Sequence, residues 1–235
     1  KGHMTSPYSL WKQSIFKHSN QESMPAMKVR PQTPTEEQQL NAKTEAMRWA
    51  KERLNDPNTI IVDTETTGIL SRDPETKIVS LSMINVKGQV VLTALVNPER
   101  PIPLEVQKIH GINDRDVKDA TPWSVIGDIA AYQMKGKHIV CFNAGFDVHL
   151  MVHLMGEYGI PIPEFDVSCA MEYYSQFVGE WSKSKGDYKW QRLPKLAYGS
   201  AHDSLVDCQS TLLLLKKMAG DFSDEPDTSD IDLDF

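Results

Sequence analysis

Short apolar runs separated by polar turns dominate the middle of this chain. Ile60–Val62 consists of three β-branched aliphatic residues, and His138–Phe142 is a second apolar run; such runs are typical of buried strands. Between them, Lys77–Val86 and Gln89–Val96 are joined at Lys87-Gly88, a spacing typical of a tight hairpin. The pattern predicts three antiparallel strands followed, further along the chain, by another strand.

Helical patterns occupy much of the remaining sequence. Thr35 and Gln38 fit a capping box that predicts a helix ending near Leu54. Further helices are predicted over residues 104–109, 114–117, 121–134, 147–158, 169–177 and 203–219, with a short strand at 165–167. Thr121 is expected to cap the 121–134 helix, and residues 179–192 are expected to be irregular or a hairpin. This order of elements predicts an α/β domain with a mixed sheet.

The two ends of the chain differ in composition from its middle. Residues 1–33 are polar and contain several prolines, so we expect a flexible N-terminal extension whose first residues resemble a tag remnant. Residues 34–57 are expected to form the N-terminal helix and a linker, and residues 58–220 the main domain. Residues 221–235 are expected to be an acidic disordered tail.

The distribution of charge changes what the net charge of −7 implies. Residues 221–235 contain seven acidic residues and no lysine or arginine, so the rest of the chain is neutral and a polyanionic substrate is compatible with it. No apolar run approaches the roughly 20 residues that span a membrane, so a membrane protein is not expected. The odd number of cysteines, three, without metal-type spacing predicts a cytoplasmic protein without a disulfide framework.

Two carboxylates follow the first predicted strand. Asp63 and Glu65 are two residues apart and would therefore point to the same face of that strand. Paired carboxylates at the end of an apolar strand repel each other, and a divalent cation such as Mg²⁺ or Mn²⁺ relieves that repulsion. For this pair alone, a solvated acidic turn is the alternative.

Two further segments place acidic residues at the ends of elements. Asp147 is expected in the first turn of a helix that follows a strand, where helix capping is the alternative role. His202 and Asp207 are five residues apart, which on a continuous helix separates them by about 140°. Both reach one site only if His202 lies on the loop before the helix, with Asp203 or Ser204 as the N-cap. The alternative is an ordinary cap and one exposed acid.

Together, these four carboxylates and one histidine suggest phosphodiester chemistry. Four converging acids can bind two divalent cations, an arrangement that activates water and stabilises a leaving oxygen. His202 would act as the general base, because the ordinary pKa of histidine is near neutral.

Several motifs resemble those of the DnaQ-like (DEDDh) 3′–5′ exonucleases, in the same order. They are Val62–Gly68, Ile109–Ile112, Asn143–Asp147 and His202–Asp207, and the resemblance covers about residues 58–219. The sequence departs from the family at Phe142, where many members have histidine, and at Asp203 and Ser204, where small or neutral residues are usual. None of these departures removes a candidate metal ligand.

The resemblance implies an RNase H-like α/β fold with a mixed five-stranded sheet flanked by helices. It also implies an exonuclease domain over residues 58–220 that uses two divalent cations, Mg²⁺ or Mn²⁺. By the same resemblance, His202 would deprotonate water, and the metal ligands would be Asp63, Glu65, Asp147 and Asp207. The residues expected to bind the terminal nucleotide are Thr64, Thr66, Thr67, Gly68, Ile109, His110, Asn143 and Phe146.

Three functions follow from this set of residues. The first is a 3′–5′ exonuclease that removes nucleoside 5′-monophosphates from single-stranded or frayed DNA in proofreading or repair. The second is an exoribonuclease of the RNase T or oligoribonuclease type, because nothing in the sequence reads the sugar 2′-hydroxyl. The third is a catalytically silent nucleic-acid-binding or adaptor module, against which the intact acidic set argues.

Three other features have two interpretations each. The tail ending Asp230–Phe235 is either a docking peptide for a sliding clamp or other replication or repair protein, or a solubilising tail. As a docking peptide it loosely resembles a sliding-clamp-binding peptide and the acidic tip of bacterial single-strand-binding proteins. His149 and His153 have the spacing of a zinc half-site but lack a third ligand, so packing is the preferred role. One segment mixes aromatic and cationic residues and is either a platform for single strands or a solvated hairpin. Its residues are Trp181, Lys183, Lys185, Tyr188, Lys189, Trp190 and Arg192.

Overall fold

The computed structural model describes residues 33–199 and 202–221. Nearly all of the expected N-terminal extension and of the acidic tail, including its clamp-like ending, lies outside the described residues. Among the helices that are described, none combines the length and the apolar character needed to cross a membrane.

A mixed sheet of six strands forms the centre of the fold, as expected for an α/β domain. Its order is β4-β3-β2-β1-β5-β6. The central strands β1, β2 and β3 are antiparallel, whereas β5 runs parallel to β1, and β6 runs parallel to β5. The strands are β1 (Thr59–Thr66), β2 (Ile78–Asn85), β3 (Val90–Asn97), β4 (Thr121–Pro122), β5 (His138–Cys141) and β6 (Asp166–Cys169).

The sixth strand corrects the expectation of five. Thr121 and Pro122 pair with the end of β3 at the edge of the sheet, whereas the sequence predicted them as the start of a helix. Proline has a fixed φ and no N–H to donate, so it suits an edge strand as well as a first helical turn. A two-residue strand is also too short to show the alternation by which strands are recognised.

Seven helices are described. They are α1 (Glu36–Asn55), α2 (Leu104–His110), α3 (Asp114–Val117), α4 (Trp123–Met134), α5 (Ala144–Glu157), α6 (Ala170–Val178) and α7 (Ser204–Ala219). The predicted capping box of α1 is confirmed, because the Thr35 hydroxyl accepts from Gln38 N–H while the Gln38 side chain accepts from Thr35 N–H. A small separate hairpin, β7 (Trp181–Ser182) and β8 (Asp187–Tyr188), follows α6.

Helix α5 begins three residues earlier than predicted. The Asn143 carbonyl accepts from Phe146 N–H at 2.8 Å and from Asp147 N–H at 3.2 Å, which closes the first turn. In the sequence, Gly145 and the acidic Asp147 favoured a helix that begins at Asp147, because glycine is unfavourable in helix interiors and acids are favourable in first turns. Asn143 is therefore the N-cap residue, although its side chain makes no capping hydrogen bond.

Two apolar cores lie on opposite faces of the sheet. Ile60 and Val62 pack in one core with α4 and α5, whereas Ile61 packs in the other with α1, α6 and α7. Because strand residues alternate between faces, Asp63 and Glu65 continue the face of Ile61, which is covered by α7. Thr64 continues the face of Val62, which is covered by α5. The end of β1 is therefore the place that both helices can reach.

Candidate active site

The carboxyl end of β1 extends beyond its parallel neighbour. Pairing with β5 covers only Thr59–Ile61, so the following residues of β1 have no strand on that side. Glu65 is 8% exposed, and Asp63 is partly exposed. Crevices at the carboxyl ends of parallel strands are the usual location of ligand sites in α/β sheets.

Asp147 fills this gap from the side of α5. Its carboxylate accepts hydrogen bonds from the Thr64 N–H at 3.0 Å and from the Thr64 hydroxyl at 2.8 Å. Asp147 is buried, and Thr64 lies between the other two acids on β1. The carboxylate thus bonds to β1 itself, which goes beyond the helix-capping role that the sequence left open.

His202 and Asp207 arrive from the other face, at the start of α7. His202 precedes the helix with φ of 62°, a left-handed conformation that is uncommon for a residue other than glycine. Asp203 caps α7 by accepting from the N–H groups of Leu205 and Val206. The geometry on which a shared site depended, with His202 on the loop before the helix, is present.

Three of the expected site residues form one compact group. The ligand atoms of Glu65, His202 and Asp207 all lie within 4.8 Å of one another. Within residues 33–199 and 202–221, this is the only group of three or more potential metal ligands. His149 and His153, the zinc half-site of the sequence, belong to no such group, and His153 Nε2 lies 4.0 Å from the Glu157 carboxylate.

The electrostatics of the acidic cluster are unfavourable without a cation. Burial, together with the charges of Asp207 and Asp147, raises the pKa of Glu65 to about 8. Burial also raises the pKa of Asp147 to about 7, although its two hydrogen bonds from Thr64 act in the opposite direction. The pKa of Asp63 is well above its usual range, because of burial and then the charges of Asp147 and Asp207.

No ion pair neutralises these carboxylates in the part of the chain that is described. The ion pairs found there involve none of Asp63, Glu65, Asp147 or Asp207. Buried charges are normally paired or coordinate metals. A set of carboxylate oxygens with one imidazole suits hard divalent cations such as Mg²⁺ and Mn²⁺, so the residues present fit such ions.

The threonines after Asp63 are occupied by internal hydrogen bonds. The Thr66 hydroxyl donates to the Gly68 carbonyl at 2.6 Å, and the Thr67 hydroxyl accepts from Lys77 N–H at 3.0 Å. Both residues are buried, as is Thr64. Their hydroxyls therefore shape the turn after β1.

Of the other expected nucleotide-binding residues, His110 contacts this turn. His110 Nδ1 accepts from Ile112 N–H at 3.0 Å, so in the neutral ring Nε2 carries the proton and donates to the Thr66 carbonyl at 3.3 Å. This bond ties the end of α2 to the end of β1. Ile109 and Asn143 are exposed, and Phe146 is half-buried.

A cavity of about 380 Å³ adjoins His202 and His110. Its walls include strand residues that the sequence did not single out, namely Ser80, Thr93 and Leu95. Alternating polar residues on a strand look the same whether they face solvent or a site, so pattern alone could not find them. The one available signal was the pair Ser80 and Ser82, two polar residues inside an otherwise apolar strand.

Three buried serine hydroxyls and the exposed Thr93 hydroxyl hold the start of α7. Ser204 Oγ lies 2.8 Å from both Ser80 Oγ and Ser82 Oγ, and Ser82 Oγ lies 3.0 Å from Thr93 Oγ1. The Cys208 thiol adds a hydrogen bond to the Ser82 carbonyl. These bonds fix the helix turn that carries Asp207 against β2, and Ser204 is thus an unexpected member of the site's support.

Comparison with known proteins now identifies the family. The RNase T family model, described as an exonuclease, matches residues 60–215. The chain belongs to the RNase T exonuclease family. The expected membership of the DnaQ-like exonucleases is thereby confirmed, and the RNase H-like fold agrees with it.

Relatives from bacteria and a phage carry the same domain. An uncharacterized exonuclease, CP81, of Escherichia phage 186 is 34% identical over 183 residues, which cover 72% of this chain and 92% of that protein. Exodeoxyribonuclease 10 of Escherichia coli K12 is 34% identical over 161 residues, or 66% of each protein. The DNA polymerase III subunit epsilon of Rickettsia conorii is 33% identical over 98 residues, which cover 40% of this chain and 42% of that subunit.

Solved structures share the fold of this exonuclease. Escherichia coli exonuclease I in complex with a dA16 oligonucleotide has a TM-score of 0.54 at 13% identity, covering 68% of this chain and 41% of that one. The nuclease domain of 3′hExo, a DEDDh family member bound to rAMP, has a TM-score of 0.51 at 16% identity, covering 69% and 92%. At these identities the likeness concerns the fold.

Proposed function

We propose that this exonuclease is a metal-dependent 3′–5′ enzyme that hydrolyses the terminal phosphodiester bonds of single-stranded or frayed DNA. It would release nucleoside 5′-monophosphates. The observation that carries the proposal is the compact group of Glu65, His202 and Asp207 at the end of β1, beside Asp63 and the buried Asp147. None of these four acids has an ion-pair partner among the described residues. An adaptor without activity would have no use for so unfavourable a cluster.

The carboxylates would act as metal ligands. Asp63, Glu65, Asp147 and Asp207 would hold two divalent cations, Mg²⁺ or Mn²⁺, which when bound would neutralise charge and activate the attacking water. Thr64 would keep the Asp147 carboxylate oriented through its two hydrogen bonds.

His202 would act as the general base. It is exposed, so solvent and substrate can reach its imidazole. It also lies with Glu65 and Asp207, which supports a position of its imidazole beside the reacting centre. A non-glycine residue in a left-handed conformation is typical of sites where position matters more than local stability.

The terminal nucleotide would bind in the cavity beside His202. Its volume of about 380 Å³ lies within the range of small-molecule sites, roughly 300–1,000 Å³. His110 lines it, whereas Ile109 and Phe146, which do not line it, would offer apolar surface to the base. Thr64, Thr66, Thr67 and Gly68 would shape this pocket, and Asn143 would offer an exposed amide at its margin.

The preference for DNA draws support from the relatives. One relative is named an exodeoxyribonuclease, and another is a subunit of a DNA polymerase. An exoribonuclease is the outcome to be distinguished, because the described site contains no group committed to a 2′-hydroxyl. Docking of the tail on a sliding clamp and a cytoplasmic location stay predictions.

A single assay tests the proposal. DNA and RNA oligonucleotides labelled at the 5′ end are incubated with the wild-type protein and Mg²⁺ or Mn²⁺, with and without EDTA. The Asp63→Asn variant removes one candidate ligand, and Asp128→Asn, an exposed acid on α4, is the matched control. We expect a ladder shortening from the 3′ end, abolished by EDTA and by Asp63→Asn but not by Asp128→Asn.

Other results of this assay would refute the mechanism or indicate one of the two alternative functions. Internal cuts, or full activity of Asp63→Asn, would refute the proposed mechanism. Shortening of RNA with intact DNA would establish the exoribonuclease instead. No cleavage of any oligonucleotide would leave the silent binding module as the function.

A further inference from the structure

The β7–β8 hairpin divides the aromatic and cationic residues of this segment into two sets. The rings of Trp181 and Tyr188 meet edge to face at 5.3 Å across the hairpin, and the Trp181 indole nitrogen is buried. Lys189 Nζ lies 3.3 Å from the Glu180 carboxylate. Trp181 and Tyr188 therefore pack within the hairpin, and Lys189 already has an acidic partner.

The second set points into solvent. Trp190 is 67% exposed, and Lys185 Nζ lies 5.2 Å from the centre of its ring, so a positive charge sits beside an open aromatic surface. Lys183 and Arg192 are exposed and have no ion-pair partner in the described part of the chain. Tyr198, further along, is 98% exposed.

The segment between these residues leads back to the acidic site. Leu193 and Leu196 pack against the core beneath α1 and α7, and Ala197 N–H donates to Ser210 Oγ on α7 at 3.3 Å. This packing holds residues 193–197 along the helix whose first turn carries Asp207. Lys195, within this segment, is exposed.

We propose that these exposed residues form a surface that binds the single-stranded part of the substrate behind its 3′ end. The surface, here called the hairpin surface, consists of Lys183, Lys185, Trp190, Arg192, Lys195 and Tyr198. This inference rests on the proposed function, because a strand held at the acidic site must leave it across a neighbouring face of the domain.

Charge complementarity and chemistry favour a nucleic acid as the occupant. The protein is acidic as a whole, with a net charge of −7, yet four cations stand here without a salt bridge in the described residues. Alternating cations and exposed aromatic rings match the phosphates and bases of a single strand. Stacking does not read the sugar, so DNA and RNA are separate arms of the test.

Binding is measured first, in the Asp63→Asn background so that the probe stays intact. Fluorescent single strands of about 4 and about 16 nucleotides, a range set by typical site sizes, are titrated at several salt concentrations with Mg²⁺ present. Trp190→Ala should weaken binding of the longer strand by about 5- to 100-fold, since one stacked base is lost. Trp190→Phe should restore most of it.

The cations are tested together. Lys183→Ala, Lys185→Ala and Arg192→Ala combined should reduce the slope of log affinity against log salt by about 2, at roughly 0.7 per phosphate contact. The shorter strand should be nearly unaffected, because it would not extend beyond the acidic site. Tyr132→Ala and Lys87→Ala are the matched controls, as both residues are exposed and lie near the opposite end of the sheet.

Activity separates the two proposals. If the wild-type protein shortens oligonucleotides and the hairpin variants bind and cleave the longer strand like the controls, the hairpin surface is refuted and the exonuclease proposal stands. If the wild-type protein cleaves nothing, the exonuclease proposal fails whatever the binding result. If the hairpin variants lose binding of DNA, of RNA or of both, the result supports the surface and identifies the nucleic acid that it binds. If the surface instead prefers duplex, the proposal is overturned.

Discussion

Replacing Glu65 with glutamine should make the metal-free protein more stable at neutral pH. The Glu65 carboxylate is 8% exposed and faces other acids, which together raise its pKa from an ordinary 4.5 to about 8. A group whose pKa is higher in the folded than in the unfolded protein contributes stability that is fully present at a pH below its unfolded-state pKa. That stability is lost as the pH rises through the folded-state pKa. The affected window is therefore about pH 4.5 to 8.

The size of the effect follows from this window. Between pH 4.5, the ordinary pKa of Glu65, and pH 7, the free energy of unfolding of the wild-type protein falls by about 3 kcal/mol, at 1.36 kcal/mol per pH unit. Glutamine has nearly the same shape and no charge, so Glu65→Gln should recover up to about that amount at pH 7. A divalent cation should largely cancel this difference, because a ligand at 100 times its Kd stabilises the protein that binds it by about 2.7 kcal/mol.

Urea unfolding from about pH 5 to pH 8, with EDTA or with Mg²⁺, measures both effects. Glu105→Gln, an exposed acid on α2, is the control and should change neither. The reasoning would be refuted if Glu65→Gln destabilised the metal-free protein at pH 7. It would equally be refuted if Mg²⁺ stabilised the variant as much as the wild-type protein.

Three further variants test the parts of the site separately. His202→Gln should lower kcat by about 100- to 10,000-fold in the ladder assay, as expected for loss of a general base, while stabilisation by Mg²⁺ persists. Thr64→Val removes the hydroxyl 2.8 Å from Asp147, so the pKa of Asp147 should rise further above 7 and the pH midpoint of Mg²⁺-dependent activity should move upward. Ser204→Ala should cost about 1–3 kcal/mol in urea unfolding, because the buried Ser80 and Ser82 hydroxyls lose a partner. It should also lower kcat on short oligonucleotides more than it changes KM.

Most of the fold could be predicted because its elements have strong periodic or capping signals. The strands of the central meander and helix α1 follow directly from alternation, a glycine turn and a capping box. Gly88, at φ of 79°, occupies the left-handed position that the β2–β3 turn requires. The start of α5 and the edge strand β4 were missed, because Asn143 and Pro122 each suit more than one local conformation.

The sequence could predict the acidic residues and the histidine of the site, but not the hydroxyl groups that hold them in position. Acids and a histidine at the ends of elements are visible in the sequence, and the structure brings Glu65, His202 and Asp207 together. The hydroxyls of Ser80, Ser82 and Ser204 are joined across more than 120 residues of sequence, and no local pattern records such a contact. The same holds for the bond from Thr64 to Asp147, 83 residues away.

Because residues of β1 alternate between the two faces of the sheet, the site depends on the register of this strand. Ile61, Asp63 and Glu65 share one face, so the residues that enter the core beneath α7 and those that face the cluster are set by a single register. A slip of one residue would turn both acids toward the apolar core beneath α5 and place Val62 and Thr64 on the face covered by α7 instead. The apolar run before Asp63 therefore does more than form a strand. By fixing the register it directs both carboxylates toward α7, where His202 and Asp207 lie.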